Sequence, residues 1–388
     1  SAAGARYGHA VVWAAAIGAL LKYVLNEGLA RWQLATGTTL IEGWVERLGR
    51  WVQWCFLAYL VLWSFIVAGA LISACGLAAH AIAPALSVAT WGILHSLAAA
   101  AMVLAGGYGR FESVMKIFVG VMFASLVGCA ALVSPPAVTI GRSIAEASIP
   151  AGGVAFVLGI IGGVGGSVTL LSYGYWMREK GWEGPARAGL ARIDLSVAYL
   201  LTGLFGLAVI VLSASLPHHA ESAPAGTAAA LRLADLLGEV LGPAGTWAFR
   251  IGFWAAVSTS ILGVWQGVPY IFCDFAGLMK RLGPEDRRRF VGTRSPWYRG
   301  YLLYLCIPPM ALLWLHRPVA VIVAYAVAGA LFMPFLAGTL LYMNGRADWV
   351  GPGLRNGWLT SALLVLCLLL FGYLGFTELA RALFPTIS

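Results

Sequence analysis

The sequence predicts an all-α polytopic membrane protein, and three observations carry that expectation. Hydrophobic residues make up 60% of the 388 and charged residues 11%, with a mean hydropathy of +0.84, far outside the range of soluble domains. Apolar windows of about 20 residues, the length that spans a hydrocarbon core as a helix, recur along the whole chain. The connections between them alternate in charge, as loops of a multi-pass protein do.

Taken in order, SAAGARYGH at the start reads as the tail of a helix, because a signal peptide would need a basic start followed by an apolar run. With no methionine before Ser1, the expectation is that an earlier segment of the protein is missing. Full windows then fall near 10–33, 52–80, 88–106, 113–134 and 153–177, and again near 193–216, 244–279, 298–315, 318–343 and 358–380. The non-cytoplasmic connections 135–152 and 217–243 are punctuated by proline. Within the second, Leu231, Ala234, Leu237 and Leu241 have helical spacing and predict a short surface helix over Thr227–Leu241.

Most of the 25 lysines and arginines gather on one side: Arg47 and Arg50, Arg110, Arg178 to Arg192, Lys280 to Arg299, Arg346 and Arg355. The positive-inside rule makes that side cytoplasmic, and a bacterial inner membrane is the expected location. The net charge of +9 therefore expresses topology and contact with anionic lipid, not a nucleic-acid surface. Six single cysteines without a CxxC pair read as small core residues, not as a zinc site or disulfide framework. The six histidines map to the non-cytoplasmic half, and none stands where a midplane proton relay would need it.

Within the window 153–177, residues Gly162 to Ser167 read GGVGGS. Glycine costs roughly 1 kcal/mol relative to alanine in a helix, and lipid offers freed backbone groups no water. Such a break persists where it lines a protein cavity, and in carriers built from discontinuous helices that cavity is the substrate site. Close helix packing of the small-xxx-small kind is the blander account of the glycines. The carbonyls of Gly162, Gly163, Gly165 and Gly166 and the hydroxyls of Ser167 and Thr169 are the candidate ion ligands.

Charges inside a membrane are functional candidates by default. Lys22 and Asn26 share one face of the first full window, while Glu27 and Arg31 form an i,i+4 pair on another. The pair predicts a structural or gating ion bridge near the cytoplasmic end. Lys22 lies deeper, with no carboxylate on its own face, so it needs a partner on another helix or an aqueous cavity. Glu112, Asp274 and Glu378 fall toward the ends of their windows, where an interface is in reach.

Three segments carry a resemblance. Ala30 to Glu42, ARWQLATGTTLIE, resembles the end of the second helix in the NRAMP family of divalent-metal transporters; Gly252 to Gly267, GFWAAVSTSILGVWQG, resembles its eighth helix. Met333 to Phe335, MPF, is similar to the Leu-Pro-Phe of its tenth. The resemblance implies a LeuT-type fold of two inverted five-helix repeats whose first and sixth helices are broken. Residues 1–134 would hold a remnant of helix 1 through helix 5, 153–343 helices 6 to 10, and 358–380 helix 11. Family members hold a transition metal with an aspartate and an asparagine of the first helix, and with a carbonyl and a methionine sulfur of the sixth. The first-helix motif would precede Ser1, and the sixth-helix Met-Pro-His falls on Gly165 to Val168, within one residue. Both methionine and histidine are replaced, and the family's third-helix acids fall within the uncharged Trp63 to Leu71.

The expected function is secondary transport of divalent cations by alternating access. Without the soft thioether the preference moves toward a hard, hydrated ion such as Mg2+, with Mn2+ the alternative, and proton coupling is not expected. Ser258, Thr259 and Ser260 are second-line candidates along the ion path. The expected partners are the metal ion and the bilayer, with no resident cofactor and no obligate protein partner. A carrier of an organic solute such as an amino acid is the alternative, with Lys22 standing in for a coupling cation. An enzyme is not expected, since the chain lacks a Ser-His pair, HExxH or a midplane aspartate pair.

Overall fold

The computed structural model describes residues 2–163, 166–215, 227–315 and 318–383. Helix α1 (Ala2–Tyr7) runs through a 3-10 turn (Gly8–Val11) into α2 (Val12–Thr36), and the short α3 (Leu40–Arg47) follows. Three long helices come next, α4 (Arg50–Ile82), α5 (Val88–Ala105) and α6 (Tyr108–Val133), then α7 (Ala137–Glu146). The crossing that carries the glycine hexapeptide is divided into α8 (Val154–Gly163) and α9 (Ser172–Glu179), with a 3-10 turn at Val168–Leu171. The remainder comprises α10 (Ala188–Ser215), α11 (Thr227–Leu241), α12 (Pro243–Met279), α13 (Pro284–Phe290), α14 (Pro296–Cys306), α15 (Pro318–Met343), α16 (Ala347–Val350) and α17 (Trp358–Leu383).

Among the described residues, 8 helices are long and apolar enough to cross a membrane. The window at 298–315 differs from expectation. Proline lacks the N–H a helix needs, so at Pro308 and Pro309 the α-helix gives way and a 3-10 stretch, Pro308–Leu315, continues it. The window at 318–343 is occupied by α15, a single helix of 26 residues.

Local chemistry sets the turn that matters most for the site. Gly37 adopts φ +73°, the left-handed conformation that ends a helix cheaply only at glycine, and its N–H closes on the Gln33 carbonyl at 2.8 Å. Two residues on, the Thr39 hydroxyl accepts the Glu42 N–H at 3.2 Å and starts α3.

Helix α2 is buried on nearly every side and packs against α8, α9, α10, α15 and α17, as expected of a helix that is apolar all round. Helices α4, α5, α12 and α14 pack together as a second group, with α15 touching both. Helix α11 forms as expected but is more than a surface helix, since Leu233, Ala234 and Leu237 bury against Leu126, Leu212 and Phe249. Five of the cysteines are buried core residues, whereas Cys55 is exposed.

Candidate cation site at the helix break

The α-helix stops at Gly163 and Gly166 and Ser167 are non-helical, so the break expected from glycine energetics is present. A Cβ at Gly166 would run into the Thr169 hydroxyl, which explains why no larger side chain stands there. The Gly166 carbonyl, released from helical bonding, accepts a hydrogen bond from Lys22 Nζ at 2.7 Å. The same ammonium lies 3.3 Å from Met333 Sδ on α15 and 5.3 Å from the centre of the Phe371 ring on α17. Lys22 is 1% exposed and, among the described residues, pairs with no carboxylate, so neither a carboxylate partner nor an open aqueous cavity accounts for it there.

Magnitudes show how this charge is tolerated. A lysine at the centre of a membrane helix costs about 3 kcal/mol to insert. A charge-assisted hydrogen bond returns about 2 kcal/mol and a desolvated ring contact about another 1–2 kcal/mol. The terms nearly cancel, leaving little surplus to hold the ammonium against a competitor.

The other expected residues divide into those near this point and those elsewhere. Ser167 is buried, and its hydroxyl has no hydrogen-bond partner among the described residues. Thr169 packs against Gly166. Gly162 faces Leu374 on α17, a close-packing role, while Gly163 ends α8 beside open space. Gly165 lies outside the described residues, as do His218, His219 and His316. Asn26, one turn from Lys22, turns to α10 and donates to the Tyr199 hydroxyl at 3.2 Å, leaving its Oδ1 unpartnered. Thr259 and Ser260 donate to the Ala256 carbonyl of their own helix, and Ser258 is buried with an unpartnered hydroxyl. Among the described residues, no hydrogen bond joins these three to the break.

The Glu27–Arg31 pair forms at 3.2 Å and is extended by Arg192 on α10 at 3.0 Å and by Asn356 at 2.8 Å from the Arg31 guanidinium. A larger cluster was not legible from single windows. Asp274, expected near an interface, is wholly buried: its Oδ2 accepts from Thr39 at 2.6 Å and from Tyr175 at 2.8 Å. Glu42, also buried, pairs with Arg287 at 2.9 Å and Arg178 at 3.4 Å. Burial and the nearby Asp274 carboxylate push Glu42 above its ordinary value, while the two arginines pull it down.

These contacts strap α9 in place. Gln33 Nε2 donates to the Gly174 carbonyl at 2.7 Å, Trp176 to Gln266 at 2.5 Å, and Tyr270 to Glu179 at 2.8 Å. A cavity of about 620 Å³ lies elsewhere, lined by Val61, Phe272, Trp297, Tyr301 and Tyr304. It is an open aromatic groove with almost no polar surface, and the helix break is not part of it.

A membrane-spanning bundle in which one crossing unwinds at a carbonyl bonded to a buried lysine has the architecture of a membrane transporter. The chain belongs to the Nramp family: the model of natural resistance-associated macrophage protein-like proteins matches residues 1–380. Among solved structures, a single-substitution variant of the manganese transporter of Eremococcus coleocola matches with a TM-score of 0.76 at 15% identity, covering 100% of this chain and 85% of that one. The same transporter in complex with an aromatic bis-isothiourea substituted compound matches with a TM-score of 0.74 at 15% identity, covering 99% and 83%. No curated protein matches the sequence. The likeness shows the shared LeuT-type fold, and membership of the family makes the chain an integral, multi-pass membrane transporter.

Proposed function

We infer that the chain carries divalent cations across the membrane by alternating access, with the break between α8 and α9 as the ion site. The observation that carries this reading is the Gly166 carbonyl, freed by unwound backbone and bonded to an ammonium at 2.7 Å; a cation is what this atom binds. Family membership supports the reading, as does the likeness to a manganese transporter.

The donors grouped there are neutral: the Gly166 carbonyl, the Ser167 hydroxyl and the Met333 thioether. Among the described residues, no group of three or more His, Cys, Asp or Glu gathers to hold a metal, so a dication at the break keeps part of its water. Met333 changes the expected selectivity. Its sulfur comes from α15, not from the broken helix, and restores a soft donor that favours Mn2+ over Mg2+. No acid occurs from Trp63 to Leu71, which supports transport without proton coupling.

The test is uptake by the purified chain in liposomes, with Mn2+, Mg2+ and Ca2+ in turn and with or without a pH gradient. Mn2+ uptake should exceed that of Mg2+ and ignore the gradient. Failure to move any dication would sink the reading, and uptake of an amino acid instead would favour an organic-solute carrier.

A further inference from the structure

We propose that Lys22 is a tethered cation that fills the site between transported ions, and that a dication binds by displacing its ammonium from Gly166. The inference rests on the reading of the break as the ion site. Lys22 Nζ stands 2.7 Å from the Gly166 carbonyl and 3.3 Å from Met333 Sδ, in the position a metal would need in order to use both donors. The carbonyl cannot serve both cations, and among the described residues no ion pair engages Lys22.

An alternative resting place exists on the same helix face. The Asn26 Oδ1, one turn along α2, is buried and has no partner among the described residues, and the flexible four-carbon stem of lysine lets the ammonium swing between acceptors. In the empty carrier the ammonium satisfies a carbonyl that would otherwise be stranded in a membrane interior. Lys22 is thus a positioning residue that sets both the affinity of the site and the state of the empty carrier.

The experiment is calorimetric titration of the full chain in detergent with Mn2+ and, separately, Mg2+, using the wild type and Lys22→Met, Lys22→Gln and Lys22→Arg. Both neutral variants should bind Mn2+ at least tenfold more tightly, about 1.4 kcal/mol, whereas Lys22→Arg, which keeps the charge, should bind no better than the wild type. Tightening in the neutral variants supports the proposal even if wild-type binding is too weak to detect. Unchanged or weaker binding in both, with the wild type binding Mn2+, overturns the displacement while leaving the ion-site reading intact. Absence of binding in all four chains overturns both. Loss of fold in both neutral variants also counts against the proposal, because Lys22 would then be fixed structure and not a displaceable occupant.

Discussion

Two buried charged regions lie close along the same stretch of chain and are built on opposite principles. Around Glu42 the charges balance: two carboxylates, Glu42 and Asp274, face Arg178 and Arg287, and hydroxyls from Thr39 and Tyr175 complete the set. That cluster joins α3, α9, α12 and α13. At Lys22 there is one charge, held by one carbonyl, one sulfur and one ring face. A balanced cluster is a strap, costly to open because each charge left behind is stranded. An unbalanced charge held by neutral donors is an occupant whose place another cation takes. The break lies where these regimes meet, with α9 strapped and α8 packed through apolar residues such as Val157 and Ile161.

Removing one member of the strap is the strongest way to break the comparison. Arg287→Ala deprives Glu42 of its shortest ion pair; with Arg178 still present, the expected loss is near the lower end for breaking a buried pair, about 3 kcal/mol. Thermal unfolding in detergent measures it, and an unchanged transition would mean the cluster is no strap. The corresponding change at the seat is Met333→Leu. A volume-conserving exchange costs the fold under about 1.5 kcal/mol, yet it removes the soft donor and should cut the Mn2+ over Mg2+ preference about tenfold, a 1.4 kcal/mol effect. Equal preference before and after would remove Met333 from the site.

What the sequence made legible was local. Window length and hydropathy marked the spans, four glycines within five residues marked the break, and the depth of Lys22 marked an unusual charge. The partners were hidden by separation: Lys22 meets Gly166 across 144 positions and Met333 across 311, and no periodicity links them. Met333 was visible only as part of MPF, the segment similar to the family's Leu-Pro-Phe. Asp274 was misread because α12, with 37 residues, is about 55 Å long and outruns a 30 Å hydrocarbon core. At its end α3, α9 and α13 pack around it, so Asp274 meets Thr39, Tyr175 and Arg287 instead of an interface.

A smaller effect tests the strap at its neutral margin. Gln33 holds α9 through one hydrogen bond to the Gly174 carbonyl, and Gln33→Leu should cost about 1 kcal/mol while raising the exchange rate of amide protons in α9 above that in α2. Equal exchange in both helices would show that α9 does not depend on this tether.

The smallest expected effect is one of pH, since the causes acting on Glu42 oppose one another. Burial and Asp274 outweigh Arg178 and Arg287, leaving the group raised above 4.5 in the folded protein. A raised carboxyl binds its proton more tightly in the folded state than in the unfolded one. Its contribution to stability is therefore complete below 4.5 and is lost as pH climbs through the raised value. Glu42→Gln cannot titrate, so the difference in unfolding temperature between wild type and variant should shrink in the wild type's disfavour as pH rises through that window. If the wild type instead gains on the variant with rising pH, the arginines dominate, Glu42 is ionised throughout, and the strap is an ion-pair lock in full.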